Sequence, residues 1–324
     1  MPSDSSNPID WAELRKNAIA SIRTDTLPKS IELPALPHAV TEFVQKAARP
    51  DFEVKVLAAI VEKDTTLTVE LLRYVNSAAF SPRSPVRCVR DAIMLMGINA
   101  ARLHLMAVGM KAASRAIKSK LINQRNFWNE AMQRALFARG VARKLKLDTG
   151  LAFLGGLLQD YLLPVLTNEY DKLYIQFLET ESRDGRDLVD WERETFGWDH
   201  AAAGAYFAAQ WHFPDDLLCA IFFHHALDAT LTADQPEFFN LFPVALSGML
   251  PDQMRQAHQG FHELIRVDEQ SCAFGLTELC TFVDEEQMKL AEGYEIPNHL
   301  TSMLEEARRV IGKTGDVGAG TTAS

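Results

Sequence analysis

The sequence predicts an all-α fold, with many helices arranged as two contiguous lobes. Three observations predict it. Apolar residues recur at three- and four-residue spacing along most of the chain, and no segment shows the strict alternation of a half-buried strand. Proline, glycine and acidic capping residues fall where successive helices must stop and start. The 324 residues are 47% hydrophobic, enough for a real core, which excludes wholesale disorder.

The first eight residues are polar and read as a loose terminus. Trp11, Leu14, Ala18 and Ile22 then share one helix face, and Pro28, Pro34 and Pro37 keep the following backbone extended. Helices are expected over 38–48, with Val40, Phe43, Val44 and Ala47 inward, and over 53–62, with Leu57, Ile60 and Val61 inward. The most informative run covers residues 64–80. Leu67, Leu71, Tyr74, Val75 and Ala78 line one face, and Asp64 stands where its carboxylate can accept from free first-turn amides. Asn76 and Ser77 form a polar pair before Phe80, and Pro82 and Pro85 force an extended loop. Val89, Ile93 and Met96 begin another helix, which Gly97 is expected to end in a left-handed conformation. A long helix follows over 99–117, with Leu103, Met106, Val108 and Met110 apolar.

Residues 118–125 are polar and basic and serve as the expected hinge between lobes. Beyond it, Trp128, Met132, Ala135, Phe137 and Val141 mark an alanine-rich helix. An apolar segment over 151–166 contains Gly155 and Gly156, a sign of close helix approach or of a ligand-facing backbone, and Pro164 caps or kinks it. Further helices are expected over 170–177, from Trp191 to a break at Gly197, and over 200–211 behind an Asp199 cap. Others follow over 216–227, 239–250, 251–266, 276–292 and 297–311. The expected organisation is a first-helix segment (1–25), an N-terminal lobe (26–120), a second lobe (121–250), helices packed on that lobe (251–312) and a loose tail (313–324).

A formal net charge of −10 argues against a phosphate-neutralising surface, so no nucleic-acid partner is expected. Arg83, Arg87 and Arg90 around the proline loop most simply solvate an exposed turn. Cys88, Cys219, Cys272 and Cys280 are scattered, as reduced thiols in a cytoplasmic protein would be. No apolar run of membrane-span length and no signal peptide is apparent, so no membrane association is expected.

The 64–80 run resembles the signature of the HDOD family, bacterial relatives of the HD metal-dependent phosphohydrolases. The matching features are Leu33-Pro34-Ala35-Leu36-Pro37, Ile60 to Asp64, Leu71-Leu72-Arg73, Val75-Asn76-Ser77-Ala78 and Ala92 to Gly97. Thr65 departs from it, standing where the family often has proline. The second lobe is similar too: Phe127-Trp128 with Ala131 and Ala135, Leu157-Leu158-Gln159-Asp160, the stretch 197–204, and His224-His225. The resemblance covers roughly 34–246 and implies an HD-like bundle in the second lobe and a bacterial regulatory protein that works by binding.

An HD site implies imidazoles and a bridging carboxylate around divalent metal. Here Glu130 replaces the first histidine and Gln159 the second. The resemblance therefore implies a vestigial pocket of Glu130, Gln159, Asp160, His200, His224 and His225, with no catalytic residue and no cofactor. Were a metal held, Glu130, Asp160, His200 and His224 would hold it, and His224 and Asp228 are spaced to share a helix face. The simpler reading takes Asp160 as an acceptor of local backbone bonds and the histidines as hydrogen-bonded remnants. Cys219 near His224 is a conceivable nucleophile pair, though a buried thiol is simpler. Signalling proteins are the expected partners, meeting an expected groove between the lobes with Asn76, Ser77, Arg83 and Arg87 nearby. Two alternatives stand: a metal-dependent phosphohydrolase or phosphodiesterase with an atypical site, and a sensor whose old pocket binds a nucleotide uncleaved.

Overall fold

The computed structural model describes residues 10–20, 22, 27, 31, 36–47, 49, 51–77, 82–114, 119–211, 213–232, 236–271, 273–290 and 299–317. Among them every regular element is a helix. The polar N-terminus, the Leu33-Pro34-Ala35 motif, Phe80, Cys272 and the last residues of the tail lie outside the described set. The chain divides into two units, one formed by 29–119 and the other by 1–28 together with 120–324. The first helix, α1 (Trp11–Ala20), therefore belongs with the later part of the chain.

The 29–119 unit contains α2 (His38–Ala47), α3 (Val54–Glu62), α4 (Thr65–Asn76), α5 (Val89–Met96) and α6 (Ile98–Ser114). The Asp64 carboxylate accepts from the Leu67 amide at 3.1 Å and caps α4, whose Leu67, Leu71 and Val75 are buried. Asn76 then does the work of a strand partner. Its Nδ2 donates to the Val86 carbonyl and its Oδ1 accepts from the Val86 amide, both at 2.8 Å, while Nδ2 also donates to Leu72. One side chain thus closes the proline loop, and the Ser77 hydroxyl donates to the Tyr74 carbonyl at 2.7 Å. Asn76 and Ser77, expected as partner contacts, hold their own backbone. Arg83 and Arg87 are exposed. Gly97 ends α5 with φ 81° and ψ 156°, an extended mirror-image conformation open only to glycine, and not the left-handed helical one expected.

The other unit continues with α7 (Gln124–Leu145), α8 (Thr149–Leu158), α9 (Leu163–Glu169), α10 (Asp171–Glu179), α11 (Leu188–Phe196), α12 (His200–Ala209), α13 (Asp215–Phe222) and α14 (Leu227–Thr232). A 3-10 turn at Pro236–Leu241 leads into α15 (Phe242–Ser247), α16 (Gly260–Gln270), α17 (Leu276–Leu290) and α18 (Leu300–Val317). Gly156 lets α7 and α8 meet backbone to backbone: a Cβ there would lie 2.9 Å from the Arg134 carbonyl oxygen and 3.1 Å from Ala135 Cα. The glycine pair therefore serves close helix approach. The stretch Thr149–Glu169 is long and apolar enough to cross a membrane, more than the sequence reading allowed, but 83% of its most apolar 18-residue window is buried as core.

Three expectations need correction. The helix expected over 251–266 begins only at Gly260, because the Asp252 carboxylate takes the Met254 amide at 2.6 Å and turns the chain instead. The last helix runs through Val317, past the expected end at residue 311, since Gly312 and Gly315 weaken a helix without terminating it. His224 and Asp228 share no helix, because α13 stops at Phe222 and Asp228 lies on the separate α14.

Candidate functional site

Five segments of the 120–324 region meet at one buried point. The end of α8 delivers Gln159 and Asp160. The start of α12, capped by Asp199 through the Ala202 amide at 2.8 Å, delivers His200. The turn after α13 delivers His224 and His225, the middle of α7 delivers Arg134, and the 251–259 turn delivers Asp252 and Gln256.

One carboxylate oxygen of Asp160 faces histidines. Its Oδ1 lies 3.3 Å from His200 Nε2 and 3.3 Å from His224 Nε2, and His225 Nε2 is 3.0 Å from His200 Nε2. One ligand atom from each of Asp160, His200, His224 and His225 falls within 4.8 Å of the others. Flanking acceptors set the tautomers. His200 Nδ1 meets Glu192 Oε2 at 2.6 Å and His224 Nδ1 meets the Ile221 carbonyl at 2.7 Å, so each Nδ1 donates outward and each ring turns its Nε2 toward Asp160. Glu192 is fixed in turn by the Tyr174 hydroxyl and the His200 amide, each donating at 2.8 Å.

The other oxygen of Asp160 faces a cation. Arg134 Nη1 is 2.5 Å from Asp160 Oδ2, and its Nη2 pairs with Asp252 and donates to the Leu250 carbonyl at 3.1 Å. Gln159 Nε2 adds a 3.2 Å bond to Asp160, its own Oε1 accepting from Ser247 at 2.9 Å, and Gln256 donates to Asp252 at 2.6 Å. Burial opposes ionisation of Asp160, but Arg134 and the two imidazoles outweigh it and hold the carboxyl well below its usual range. Burial likewise opposes charge on His200, while Glu192 and Asp160 raise it to about 10. His225 is pushed down by burial and by its two neighbouring imidazoles.

Of the expected site residues, Gln159, Asp160, His200, His224 and His225 are brought together, and Glu130 is not. Its carboxylate accepts from Gln253 at 3.3 Å, and burial and nearby Asp252 raise it to about 7. The metal set expected from the sequence thus exchanges Glu130 for His225, because Arg134 and Asp252 stand between α7 and the histidines' carboxylate. Cys219 is a buried thiol pushed up to about 12 by burial, then by Asp215 and Asp216, and its Sγ faces the Trp11 carbonyl.

The divalent metal implied for HD-type sites can be tested against these donors. Asp160 Oδ1 and His224 Nε2 are buried without a hydrogen-bond partner. Three imidazole nitrogens and a carboxylate suit one transition ion. On the other side of Asp160 the guanidinium of Arg134 occupies Oδ2, and the bordering cleft, lined by Glu130, Arg134, Asp252, Gln253 and Gln256, has room for about one water. The donors fit one ion, not two.

The HDOD domain profile matches residues 33–227. The chain belongs to the HDOD domain family. An uncharacterized protein from Treponema pallidum (strain Nichols) is 28% identical over 200 residues, 60% of this chain, and the chain matches only 38% of that relative's length. Among solved structures, an HDOD domain protein of unknown function from Geobacter sulfurreducens is similar at TM-score 0.56 and 16% identity, covering 93% of this chain and 96% of its own. A Shewanella amazonensis SB2B protein provisionally described as a phosphohydrolase aligns at TM-score 0.58 and 21% identity, covering 87% and 98%. A Marinobacter aquaeolei VT8 protein provisionally described as acting in signal transduction aligns at 0.56 and 21%, covering 89% and 67%. At these identities the likeness establishes the shared helical fold.

Arg134, Glu192, Asp252 and Gln256 were not singled out from the sequence. Arg134 carried a signal: it stands one turn after Glu130 among Phe127, Trp128, Ala131 and Ala135, a charge on an otherwise apolar helix face.

Proposed function

We propose that this protein is a bacterial signal-transduction regulator of the cytoplasm that acts by binding signalling proteins, without hydrolysing phosphoesters. The observation that carries the reading is the Arg134 guanidinium on Asp160. In an HD site that carboxylate bridges two metals that activate water. Here one side of it is neutralised by a fixed, buried side chain whose second partner, Asp252, anchors it. The bordering cleft holds about one water, too little for a phosphoester or a nucleotide. Partner contact is assigned to the 29–119 unit, where Arg83 and Arg87 are exposed and Val69, Met94 and Leu95 expose 47%, 67% and 48% of their surface.

The phosphohydrolase alternative draws support from the imidazole cluster itself. Turnover of phosphomonoesters, linear phosphodiesters and cyclic dinucleotides, with Mg2+, Mn2+, Fe2+ or Zn2+ added, separates the two. The regulatory reading expects wild type to match an Asp160→Ala variant at background. Metal-dependent turnover abolished by Asp160→Ala would establish the hydrolase instead.

A further inference from the structure

Charge is unevenly divided along this chain. Residues 29–119 carry 13 lysines and arginines against 8 aspartates and glutamates, while the rest of the sequence carries 20 against 35. After Glu70, Asp91 is the only acidic residue of that basic unit, and Arg90 lies 3.5 Å from it. From residue 64 to 110 every Lys-or-Arg position is an arginine. The same unit, under a third of the chain, holds five of the nine large apolar side chains exposed among the described residues, Val69, Met94 and Leu95 among them. Single exposed apolar residues need no explanation, but grouped beside charge of one sign they mark a surface that meets a partner.

We propose that the outer face of α4, the 82–88 loop and α5 docks an acidic, amphipathic segment of a partner protein, its carboxylates on Arg83 and Arg87 and its apolar side chains on Val69, Met94 and Leu95. This inference rests on the regulatory reading and names the partner chemistry. The surface is continuous along the chain. On α4 the exposed positions Thr66, Val69, Arg73 and Asn76 fall three or four apart, one stripe down the helix. At the end of that stripe Asn76 holds the Val86 amide and carbonyl, each at 2.8 Å, which ties the loop carrying Arg83 and Arg87 to α4. The loop leads into α5, which packs on α4 and exposes Arg90 and Met94 one turn apart, with Leu95 beside them. Arg83 and Arg87 make no ion pair among the described residues, so their charge is available.

The residue types fit a carboxylate-bearing protein segment. A planar guanidinium grips both oxygens of a carboxylate and gives up its hydration more readily than an ammonium does. Arginine and methionine are enriched in protein interfaces and lysine is depleted, and an unbranched methionine adapts to whatever apolar side chain it meets. The loop is also set before a partner arrives: Pro82 and Pro85 fix their own dihedrals and Asn76 clamps Val86, so docking orders little further backbone. A nucleic acid, held through its phosphates, would leave Val69, Met94 and Leu95 uncovered. A bilayer needs an unbroken apolar stripe, whereas here the apolar side chains are interleaved with exposed Arg73, Arg90 and Asp91 on two helices.

The test selects peptides from a random phage-displayed library on the full-length protein and measures the selected ones by fluorescence anisotropy. Expected are sequences rich in Asp and Glu with large apolar residues at helical spacing, whose affinity falls at least about tenfold between about 0.05 and 0.5 M salt. Arg83→Glu combined with Arg87→Glu should weaken them at least about tenfold, and Met94→Asp should do the same by setting like charges together. Met288→Asp, at an exposed methionine of the other unit, should bind as wild type. The proposal is overturned if the selected peptides show no acidic bias, if they bind the charge-reversed variant as they bind wild type, or if salt leaves their affinity unchanged. It is also overturned if a random-sequence DNA duplex, or phosphatidylcholine vesicles containing phosphatidylglycerol, binds wild type more tightly than the peptides and is lost on the same charge reversal. The selection and the salt dependence use wild type and need no variant to fold. Peptides that fail while phosphoester turnover stays at background overturn this surface alone, whereas metal-dependent turnover overturns the regulatory reading whatever the peptides do.

Discussion

Replacing Arg134 by methionine keeps most of the side-chain volume and removes the charge. In metal-free protein this strands Asp160 and Asp252 in the interior and leaves the Leu250 carbonyl without its donor. Breaking a buried pair from one side costs about 3–5 kcal/mol. At a urea slope of about 2–3 kcal/mol/M, the unfolding midpoint should fall by about 1–2.5 M. Tryptophan fluorescence isolates the relevant unit, since Trp11, Trp128, Trp191, Trp198 and Trp211 all lie in 1–28 or 120–324. Adding Asp160→Asn and Asp252→Asn to Arg134→Met should recover much of the loss, because the two carboxylates that faced the guanidinium are then no longer charged. The pH sign is defined. The Asp160 carboxyl is depressed by the pair, so its contribution is complete above the unfolded carboxylate value near about 4 and disappears as pH falls through the lower folded value. A midpoint shift under about 0.3 M at pH 7 would refute the assignment of Arg134 as the fixed counter-charge of this site.

In the 29–119 unit, buried His104 stacks on Tyr74 at 4.1 Å and is pushed from 6.5 down to about 4, chiefly by burial, with the Glu70 backbone compensating in part. Its folded value lies below its unfolded one, so stability holds above about pH 6.5 and falls by about 3 kcal/mol as pH drops through 4; amide exchange in α6 should follow that course and flatten in His104→Leu. Asn76→Ala should cost about 1–2 kcal/mol locally and speed exchange of the Val86 amide about tenfold or more, with unchanged exchange counting against the loop clamp. Gly156→Ala should destabilise by about 1–3 kcal/mol, because the new methyl meets the Arg134 backbone and not a movable side chain; a thermal midpoint equal to wild type would contradict the close approach of α7 and α8.

Much of this architecture was legible because it is local. The caps at Asp64 and Asp199 and the stop at Gly197, which takes φ 79° and ψ 7°, follow from short-range backbone chemistry. Asp160, His200, His224 and His225 could be named in advance because their spacing is that of a known family. What decides the chemistry is not local. Arg134 reaches partners 116 and 118 residues away in the chain, at Leu250 and Asp252. Nothing in the sequence around Asp252 marks it as a site residue, and the pattern over 251–266 read as helix until the aspartate's own hydrogen bond was seen to turn the chain. Asn76 shows the same limit: an exposed polar residue in a signature motif suggests a partner contact, and nothing local in the sequence says that its amide also clamps Val86 ten residues on.

The most direct test of the central claim is a crystal structure grown with excess Mn2+ or Zn2+ at near-neutral pH. The account predicts Arg134 still seated on Asp160 Oδ2 and Asp252, with no more than one ion, held among the three imidazoles. Two ions bridged by Asp160, with the guanidinium displaced and a water between the metals, would contradict it and restore the hydrolytic site.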